Sequence, residues 1–436
     1  MLGSGFSTFL ESLNETQWYS QERLRKHQES RLRLLVKHAY DKVPYYHKIF
    51  KERGIKPSNI KRIEDLERLP VLTKEDVRRN FDELIAINAK DFQYGISHTG
   101  GSTGKPLTFL LDQRNREMAY ASLWRQRLWA DVNFEGNIAT FRTSSGWRKF
   151  YNNRPCWKFN AFSKQMEFNI FRMDKDVVES YIKQLVKFRP DLIEGYPSII
   201  QLLAKHLLEN NFNGVFPRAI QTSSEILSIH QRSIIEEAFH CKIYDWYGQS
   251  EYVVAAGECS DGSMHIAESG IMEFIRHGEQ VSEGEIGEIV GTGLYNFSMP
   301  FIRYRVGDVG KFTEEKCGCG RGLPIIQSLE GRVSDIVVTP GGKLFPGITL
   351  ESIWRYRIRP YTPNVDYVHI IQESKDRLVI EMVKREDYSD EETRIIVREL
   401  KKLLGSEIHV EFKYLNSIPT GRKWRFAESQ LNVSLL

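Results

Sequence analysis

The middle of the chain alternates between short apolar runs and longer segments with helical spacing, and this alternation most constrains the fold. Strands are predicted over 107–111, 138–142, 191–195, 219–222 and 242–246, and the helices between them over 114–130, 177–188, 198–209 and 229–239. Short strands that are separated by helices build parallel sheets, because each helix returns the chain to the start of the next strand. The sequence therefore predicts an α/β fold with a substantial parallel sheet.

The segments before this region extend the large domain, and the segments after it indicate a second, smaller domain. Helices are predicted over 21–53, interrupted at Val43-Pro44, and over 74–84, where Thr73 and Asp76 form a capping box. After residue 264 the predicted strands are short and bounded by turns. From residue 333 onward, strands over 335–338, 365–372, 377–384 and 407–414 combine with helices over 350–356 and 391–404. We therefore expect a large N-terminal domain over 1–332, with mixed sheets and helices, and a small mobile α+β domain over 333–436.

Composition excludes several classes of protein. A chain of 436 residues is too long for one ordinary core, which agrees with two domains. No apolar run approaches the about 18 residues of a membrane-spanning helix, and we expect no signal peptide. Five cysteines are too few for a disulfide scaffold, so we expect a reduced, cytoplasmic protein. The net charge of +4 does not demand nucleic acid, although it helps to attract a polyanion such as ATP.

The segment from His98 to Pro106, which reads His-Thr-Gly-Gly-Ser-Thr-Gly-Lys-Pro, offers many backbone N–H groups and hydroxyls beside a lysine. These groups suit the phosphates of a nucleotide. The loop matches the Walker motif poorly, because its glycines are too closely spaced and Pro106 stands where that motif has a magnesium-binding hydroxyl. A plain surface turn is the alternative interpretation of such a cluster.

Four further segments, taken with this loop, resemble the motifs of adenylate-forming enzymes. They are Tyr244-Asp245-Trp246-Tyr247-Gly248-Gln249-Ser250-Glu251, similar to an aromatic-Gly-x-Ser/Thr-Glu motif; Tyr304-Arg305-Val306-Gly307-Asp308, similar to Tyr-Arg-x-Gly-Asp; Gly331-Arg332-Val333-Ser334-Asp335, similar to the Gly-Arg-x-Asp-Asp hinge; and Ile418 to Phe426, similar to the segment with the catalytic lysine. The five motifs occur in family order across nearly the whole chain. Together with Val43-Pro44-Tyr45-Tyr46, they resemble the phenylacetate–CoA ligase family, and within it the capsule-biosynthesis (CapK-like) branch.

The resemblance implies a role for each matched residue. Lys423, Glu251 and Arg332 would be catalytic: Glu251 would hold Mg²⁺ as a hard oxygen ligand, Arg332 would lie near the α-phosphate, and Lys423 would stabilise the charge that develops there. Tyr247 would stack on the adenine and Asp308 would accept from the ribose hydroxyls. The whole cofactor-binding set is Thr99, Gly100, Gly101, Ser102, Thr103, Gly104, Lys105, Ser223, Ser224, Glu225, Tyr247, Gly248, Ser250 and Asp308.

Two positions depart from the family pattern. The family has Gly-Lys directly, whereas here Arg422 separates Gly421 from Lys423, so either Lys423 or Arg422 fills the position of the catalytic lysine. A run of basic residues such as this one is also typical of a solvated face. Ser334 stands where the hinge motif usually has an acidic residue. Tyr247, Asp308 and Arg332 are also compatible with plain structural roles.

Three cysteines and a histidine form a candidate metal site of their own. Cys259 and His265 are followed by the Cys-x-Cys pair Cys317 and Cys319, and such a set completes a tetrahedral zinc site. Similar Cys/His sets occur in the family that the chain resembles. Because all four positions come from the protein, we expect a structural zinc ion, with unligated thiols as the alternative. Cys156 and Cys241 are expected to be ordinary thiols.

The resemblance implies ATP-dependent activation of a carboxylic acid through an acyl-adenylate, followed by acyl transfer. The acceptor would be CoA, in a channel lined by Pro340-Gly341-Gly342-Lys343, or an amine in the capsule branch, and a homodimer is possible. The acid is not readable, since the stretch over 142–164 suits either an anionic or sugar-like acid or an exposed basic insertion. Two rivals are a phosphotransferase that releases ADP, suggested by Lys105, and a nucleic-acid binder, which the dispersed positive charge disfavours.

Overall fold

The computed structural model describes residues 4–99, 106–142, 157–171, 173, 175–212, 214–417 and 425–431. The described chain divides into two compact units. The first comprises residues 1–272, 291–305 and 313–327, and the second comprises residues 273–290, 306–312 and 328–436.

The helices of the first unit begin near its N-terminus and then recur between the strands. They are α1 (Ser4–Thr16), α2 (Gln21–Lys42), α3 (Pro44–Glu52), α4 (Lys74–Arg79), α5 (Phe81–Leu84), α6 (Gln113–Trp129), α7 (Lys175–Phe188), α8 (Pro197–Glu209) and α9 (Ile229–Phe239). The predicted break at Val43-Pro44 is present, since α2 ends at Lys42 and Pro44 opens α3. Thr73 caps α4 and forms the predicted capping box with Asp76.

The strands are numbered in chain order. They are β1 (Tyr94–His98), β2 (Thr108–Asp112), β3 (Ile138–Phe141), β4 (Trp157–Asn160), β5 (Gln165–Phe168), β6 (Leu192–Gly195), β7 (Ala219–Ser223), β8 (Ile243–Gly248), β9 (Ala255–Glu258), β10 (Met264–Ile266), β11 (Gly270–Arg276), β12 (Glu279–Gln280), β13 (Gly287–Gly293), β14 (Tyr304–Thr313), β15 (Ile325–Arg332), β16 (Ile336–Val338), β17 (Leu344–Pro346), β18 (Val365–Ser374), β19 (Arg377–Lys384), β20 (His409–Tyr414) and β21 (Ala427–Ser429).

The predicted parallel sheet forms the centre of the first unit. Neighbouring strands follow the order β4-β5-β3-β6-β7-β8-β9-β10, in which β5, β3, β6, β7 and β8 are parallel. Alternate residues of a strand point to opposite faces of the sheet. Phe141, Ile193 and Ile220 lie on one face, in the apolar core that α7, α8 and α9 cover. Thr140 and Glu194 lie on the other face, which is polar.

The polar face of the sheet packs against α6, whose residues Arg125, Gln126 and Arg127 are all buried. Arg127 donates to the Glu194 carboxylate and to Gln221 Oε1. Gln126 Nε2 donates to the Asp245 carbonyl at 2.7 Å, and Arg125 pairs with Glu268 at 2.7 Å. Helix α6 is therefore held against the sheet by buried hydrogen bonds, whereas α7, α8 and α9 pack on it mainly through apolar residues.

The C-terminal part of the second unit is the predicted α+β structure. Strands β20-β19-β18-β21 form a four-stranded sheet, and its core takes in apolar residues of α11 (Asp390–Leu404) and of α10 (Gly347–Ile353). The helix predicted over 350–356 starts three residues earlier and continues as a π-turn over Trp354–Ile358. Strands β11 to β15 are neighbours in the order β12-β11-β13-β14-β15.

Some elements of the described chain were not predicted. Helix α1 and the β4–β5 hairpin, which joins β3 to the sheet edge, were not expected. Strand β4 has only partly buried or exposed residues, so it lacks the apolar alternation that marks a strand. Among the helices of the described ranges, none combines the length and the apolar character needed to cross a bilayer.

Phe168→Ala should destabilise the first unit strongly. Phe168 is fully buried and stacks on Phe141, with ring centroids 4.4 Å apart. We expect a loss of about 3–5 kcal/mol in the free energy of unfolding, because the truncation leaves a cavity. Urea unfolding measures this change. Phe162→Ala in the turn of the same hairpin is the control, since that side chain is 85% exposed, and equal losses in both variants would contradict the core assignment.

Candidate functional site

The parallel strands of the first unit end at one edge of the sheet, which is where α/β folds bind ligands. Strand β7 ends at Ser223 and the adjacent β8 ends at Gly248. The register pairs Ser223 with Trp246. Two of the predicted cofactor-binding segments, Ser223 to Glu225 and Tyr247 to Glu251, are therefore neighbours at this edge.

The segment after β7 turns sharply away from the sheet. Ser224 is exposed and adopts a left-handed conformation with φ of 70°. The Glu225 carboxylate accepts the Ser198 N–H at 3.1 Å, in the first turn of α8. An anionic side chain is favourable there because the first N–H groups of a helix lack partners within it. Glu225 thus has a structural contact in addition to its predicted role beside adenine.

The segment after β8 presents polar groups of differing exposure. Tyr247 is half-buried and pairs with Ala256 of β9, while Gly248 and Ser250 are exposed. Glu251 is buried, and its Oε1 accepts a hydrogen bond from the Tyr304 hydroxyl at 2.7 Å. Tyr304 itself has no exposed surface. The glutamate of one predicted motif and the first tyrosine of another, 53 residues apart in the chain, are thus joined directly.

The residues just before Tyr304 are anchored by the N-terminal helices. Arg303 has a left-handed backbone, with φ of 51°, and its buried guanidinium donates to the carbonyls of Leu69 at 2.8 Å and Glu67 at 3.3 Å. The Tyr46 hydroxyl donates to the Pro300 carbonyl and accepts the Ile302 N–H, both at 3.0 Å. These contacts fix the start of β14, and with it the partner of Glu251. No periodicity or spacing in the sequence indicates them.

In the second unit, two other predicted site residues form an ion pair. Arg332 Nε lies 3.6 Å from Asp308 Oδ1, with both side chains partly exposed. Asp335 of the hinge motif accepts the Arg332 N–H at 3.1 Å and pairs with Arg425 Nη1 at 3.2 Å. Ser334, the departure from the family pattern, accepts a hydrogen bond from Arg425 at 3.3 Å. The hinge motif therefore contacts the segment that follows the candidate catalytic lysine.

Part of the predicted site lies outside the described residues. Thr99 is described: its hydroxyl oxygen accepts the Leu107 N–H at 2.9 Å, and its own N–H donates to the Leu107 carbonyl at 3.0 Å. It closes the β1–β2 hairpin that bears the glycine-rich loop. The predicted residues outside the described ranges are Gly100, Gly101, Ser102, Thr103, Gly104, Lys105, Arg422 and Lys423, together with 143–156 of the basic stretch.

Arg142, which opens that basic stretch, contacts a buried carboxylate. Glu194 accepts hydrogen bonds from Arg142, Arg127 and Thr140. Although burial alone would raise the pKa of Glu194, the two guanidinium groups lower it to about 2. Because Arg142 follows the last residue of β3, its cation lies at the same edge of the sheet as Ser223 and Gly248.

The predicted zinc ligands come together within the first unit. One ligand atom from each of Cys259, His265, Cys317 and Cys319 lies within 4.8 Å of the others. Cys259 Sγ is 3.6 Å from Cys317 Sγ, and Cys319 Sγ is 3.3 Å from His265 Nε2. His265 Nδ1 lies 3.4 Å from the Leu323 carbonyl, so Nε2 is the nitrogen turned toward the thiols. Cys241 lies apart from this cluster, against the apolar core.

Asp245 is a titratable group that sequence reasoning left unassigned. Its Oδ1 accepts the Thr222 hydroxyl at 2.6 Å, and its N–H donates to Glu258 Oε2 at 2.8 Å. Burial, followed by the nearby Glu258 carboxylate, raises the pKa of Asp245 to about 7, and Arg232 opposes the shift only in part. The segment that leads to Glu251 therefore contains a carboxyl group whose charge changes near neutral pH.

The comparisons with known proteins agree with the motifs. Residues 350–429 match the family model of the CapK C-terminal domain. The chain is 27% identical over 404 residues to protein CapK of Staphylococcus aureus, covering 88% of this chain and 84% of that protein. It is 26% identical over 345 residues to the phenylacetate–coenzyme A ligase of Thermus thermophilus, covering 76% and 75% of the two chains.

Solved structures show the same fold. The 2-hydroxyisobutyryl-CoA ligase, in the postadenylation state with R3-HIB-AMP, superposes with a TM-score of 0.73 at 19% identity over 96% of this chain and 92% of that chain. A further structure of that ligase, with 2-HIB-AMP and CoA, gives a TM-score of 0.64 at 20% identity, covering 92% and 91% of the two chains. The predicted fold class, a mixed α/β structure with a C-terminal domain, is therefore confirmed.

Asp245→Asn should change the pH dependence of stability. A carboxyl whose folded pKa lies above its unfolded value stabilises the fold fully below the unfolded pKa, and this contribution is lost as pH rises through the folded pKa. Between about pH 4 and about pH 7, we expect the free energy of unfolding to fall more in the unmodified protein than in the variant. Asparagine retains the oxygen that accepts from Thr222. Urea unfolding across this range measures the effect, and parallel pH curves for the two proteins would contradict it.

Proposed function

The chain is a homologue of CapK and of the phenylacetate–coenzyme A ligases, and on this premise we propose that it is an AMP-forming ligase that activates a carboxylic acid. One carboxylate oxygen attacks the α-phosphorus of ATP, the bond to the β-phosphate breaks, and pyrophosphate leaves with the electron pair. The acyl-adenylate then transfers its acyl group to the thiol of CoA, and AMP is released. The named relatives with this activity support the proposal.

The hydrogen bond between Tyr304 and Glu251 is the observation that carries this proposal. Each residue was singled out by a different motif, and a coincidental match would not bring a buried tyrosine to a buried glutamate. Glu251 is the proposed Mg²⁺ ligand, and carboxylate oxygen is the donor that this hard cation prefers. The hydroxyl of Tyr304 orients the carboxylate without neutralising its charge.

The family resemblance implies the roles of the other residues. Tyr247, half-buried at the end of β8, offers a ring face to adenine, and Ser223, Ser224 and Glu225 lie beside it. Asp308 accepts from the ribose hydroxyls, and its paired Arg332 turns toward the α-phosphate. The loop from Thr99 to Lys105 holds the β- and γ-phosphates, Gly248 and Ser250 complete the nucleotide site, and Lys423 bridges carboxylate and α-phosphate.

We also propose that residues 1–332 and 333–436 act as two domains, with the Arg332–Asp335 segment as their hinge. Rotation of the small domain separates adenylation from acyl transfer, which need different neighbours around one adenylate. The β16–β17 hairpin offers a tight turn for the thiol channel, because Gly342 has a positive φ of 81° and its N–H donates to the Thr339 carbonyl at 2.8 Å. The ATP-dependent chemistry and the free thiols suit the cytoplasm.

A second candidate function is an amide ligase of capsular or surface polysaccharide biosynthesis, in which an amine replaces the thiol. The observation that favours it is the match of residues 350–429 to the CapK C-terminal domain. In the proposed rotation this domain presents the acceptor. Its similarity to the C-terminal domain of CapK therefore bears on which acceptor, thiol or amine, is used. A homodimer is compatible with either function.

We propose a structural zinc ion at Cys259, His265, Cys317 and Cys319. The sulfur–sulfur and sulfur–nitrogen separations suit a tetrahedral centre with bonds of about 2.0–2.3 Å. The contact from His265 Nδ1 to the Leu323 carbonyl is typical of the outer support of a histidine ligand. The ion would tie the β9–β10 turn to the loop before β15.

Exchange of labelled pyrophosphate into ATP tests the ligase assignment. The panel of acids comprises phenylacetate, 2-hydroxyisobutyrate, a fatty acid, an amino acid and a uronic acid. We expect exchange with at least one acid and a loss of at least about 100-fold in Glu251→Ala and Lys423→Ala, because both remove charge at the developing transition state. Tyr304→Phe should show a smaller loss.

Two further variants sharpen this test. Lys402→Ala, on the exposed face of α11, is the matched control and should exchange normally. Arg422→Ala decides between the two basic residues: a larger loss than in Lys423→Ala would move the catalytic role to Arg422. Release of ADP in place of AMP would indicate a phosphotransferase and refute the proposal.

Metal analysis tests the zinc site. We expect about one zinc ion per chain, and less than about half of this in Cys319→Ser or Cys317→Ser, since three ligands bind zinc far more weakly than four. Cys241→Ala is the control because this thiol lies outside the cluster. A protein that purifies without zinc and gains no thermal stability when zinc is added would contradict the assignment.

A further inference from the structure

Gln249, which lies between Gly248 and Ser250, has a buried hydrogen-bond donor that is not used within the described part of the chain. Its Oε1 accepts two backbone N–H groups, from Val253 at 3.1 Å and from Val254 at 3.3 Å. Its Nε2 is buried, and no acceptor lies within hydrogen-bonding distance among the described residues.

The orientation of the Gln249 carboxamide follows from its partners. The two N–H groups of Val253 and Val254 require an oxygen, since the opposite orientation would place the NH₂ group against two other donors. Gln249 Oε1 therefore faces the backbone of Val253 and Val254, just after Glu251. The NH₂ group must then point away from that turn.

A buried donor without an acceptor is unfavourable, because it has lost its hydrogen bonds to water. Several other buried polar atoms also lack partners in the described ranges, among them Trp124 Nε1 and His369 Nε2. Only Gln249 lies within the segment from Tyr247 to Glu251, at the edge where the parallel strands end. A ligand bound at this edge would supply the acceptor that Gln249 Nε2 lacks.

We propose that Gln249 Nε2 donates a hydrogen bond to the carboxyl group of the acid substrate, on the oxygen that does not attack phosphorus. This inference rests on the proposed function. The reacting carboxylate must lie beside the α-phosphate, and Gln249 is two residues before the proposed Mg²⁺ ligand. When the attacking oxygen bonds to phosphorus and pyrophosphate departs, the other oxygen becomes the acyl carbonyl and keeps its bond to Nε2–H. Gln249 thus selects which oxygen reacts.

Gln249→Glu is the decisive variant. It keeps an oxygen for the Val253 and Val254 N–H groups but replaces the donor with an acidic oxygen. Pyrophosphate exchange is measured with phenylacetate or 2-hydroxyisobutyrate, whichever supports exchange, as a function of acid and of ATP. We expect KM for the acid to rise about 10- to 100-fold, because a hydrogen bond to a charged acceptor is lost. KM for ATP should change by less than about 3-fold.

The pH profile separates a direct hydrogen bond from a structural effect. Lowering the pH protonates the introduced carboxyl, which then can donate, so KM of Gln249→Glu should recover toward acid pH relative to the unmodified protein. Gln249→Met, which has neither donor nor acceptor, should show the raised KM at every pH. Gln184→Glu in α7 is the matched control, since its carboxamide donates to the Met166 sulfur and lies outside the segment from Tyr247 to Glu251.

Each remaining outcome is decisive. An unchanged KM for the acid in both Gln249 variants overturns the assignment, as does a fall in melting temperature of Gln249→Glu without a change in KM, which would place the acceptor within the protein. If the unmodified protein shows no exchange with any acid, the proposed function fails and this inference fails with it. If the unmodified protein shows exchange and KM for the acid is unchanged in both Gln249 variants, only the role of Gln249 is refuted.

Discussion

The buried polar contact between α6 and the sheet is the constraint on which the rest of the first unit depends. Arg125 and Arg127 carry charges that are costly to bury unless each is paired, and Glu268 and Glu194 pair with them, while Gln221 accepts a further hydrogen bond from Arg127. An apolar interface would tolerate a helix shifted by a turn. Here a shift would leave buried charges unpaired, so α6 fits the sheet in one register.

This register reaches the candidate site through β8. Gln126 binds the Asp245 carbonyl, only six residues before Glu251, and Arg127 shares Glu194 with Arg142 at the end of β3. Hydrogen bonds from α6 thus fix the positions of the strand ends, whereas Tyr304, at the start of β14, orients Glu251. If Glu251 acts as the proposed Mg²⁺ ligand, these two independent supports keep the geometry of its carboxylate when the ion binds.

Much of the fold could be predicted from the sequence, because apolar periodicity reports directly on burial. Strands β3, β6, β7 and β8 and helices α7, α8 and α9 were found close to their predicted bounds, whereas the parallel strand β5 was not predicted. Helix α1 was missed although Phe6, Phe9, Leu10 and Leu13 recur at helical spacing, whereas strand β4 has no buried residue and lacks the apolar alternation of a strand. The cluster of Cys259, His265, Cys317 and Cys319 was predicted from the chemistry and spacing of its residues, together with the resemblance to a family that has similar sets. The bond from Tyr304 to Glu251 and the orientation of Gln249 depend on contacts that only the folded chain creates.

Arg303 illustrates how narrowly one position can be constrained. Its left-handed backbone suits glycine best, yet its guanidinium also holds the Leu69 and Glu67 carbonyls. Glycine would relax the backbone and release those carbonyls, whereas lysine would keep the charge but lose the planar fork that reaches both. The two demands have one joint solution among the twenty residues. The entry to β14 is therefore far less free to change in sequence than a surface position that carries neither demand.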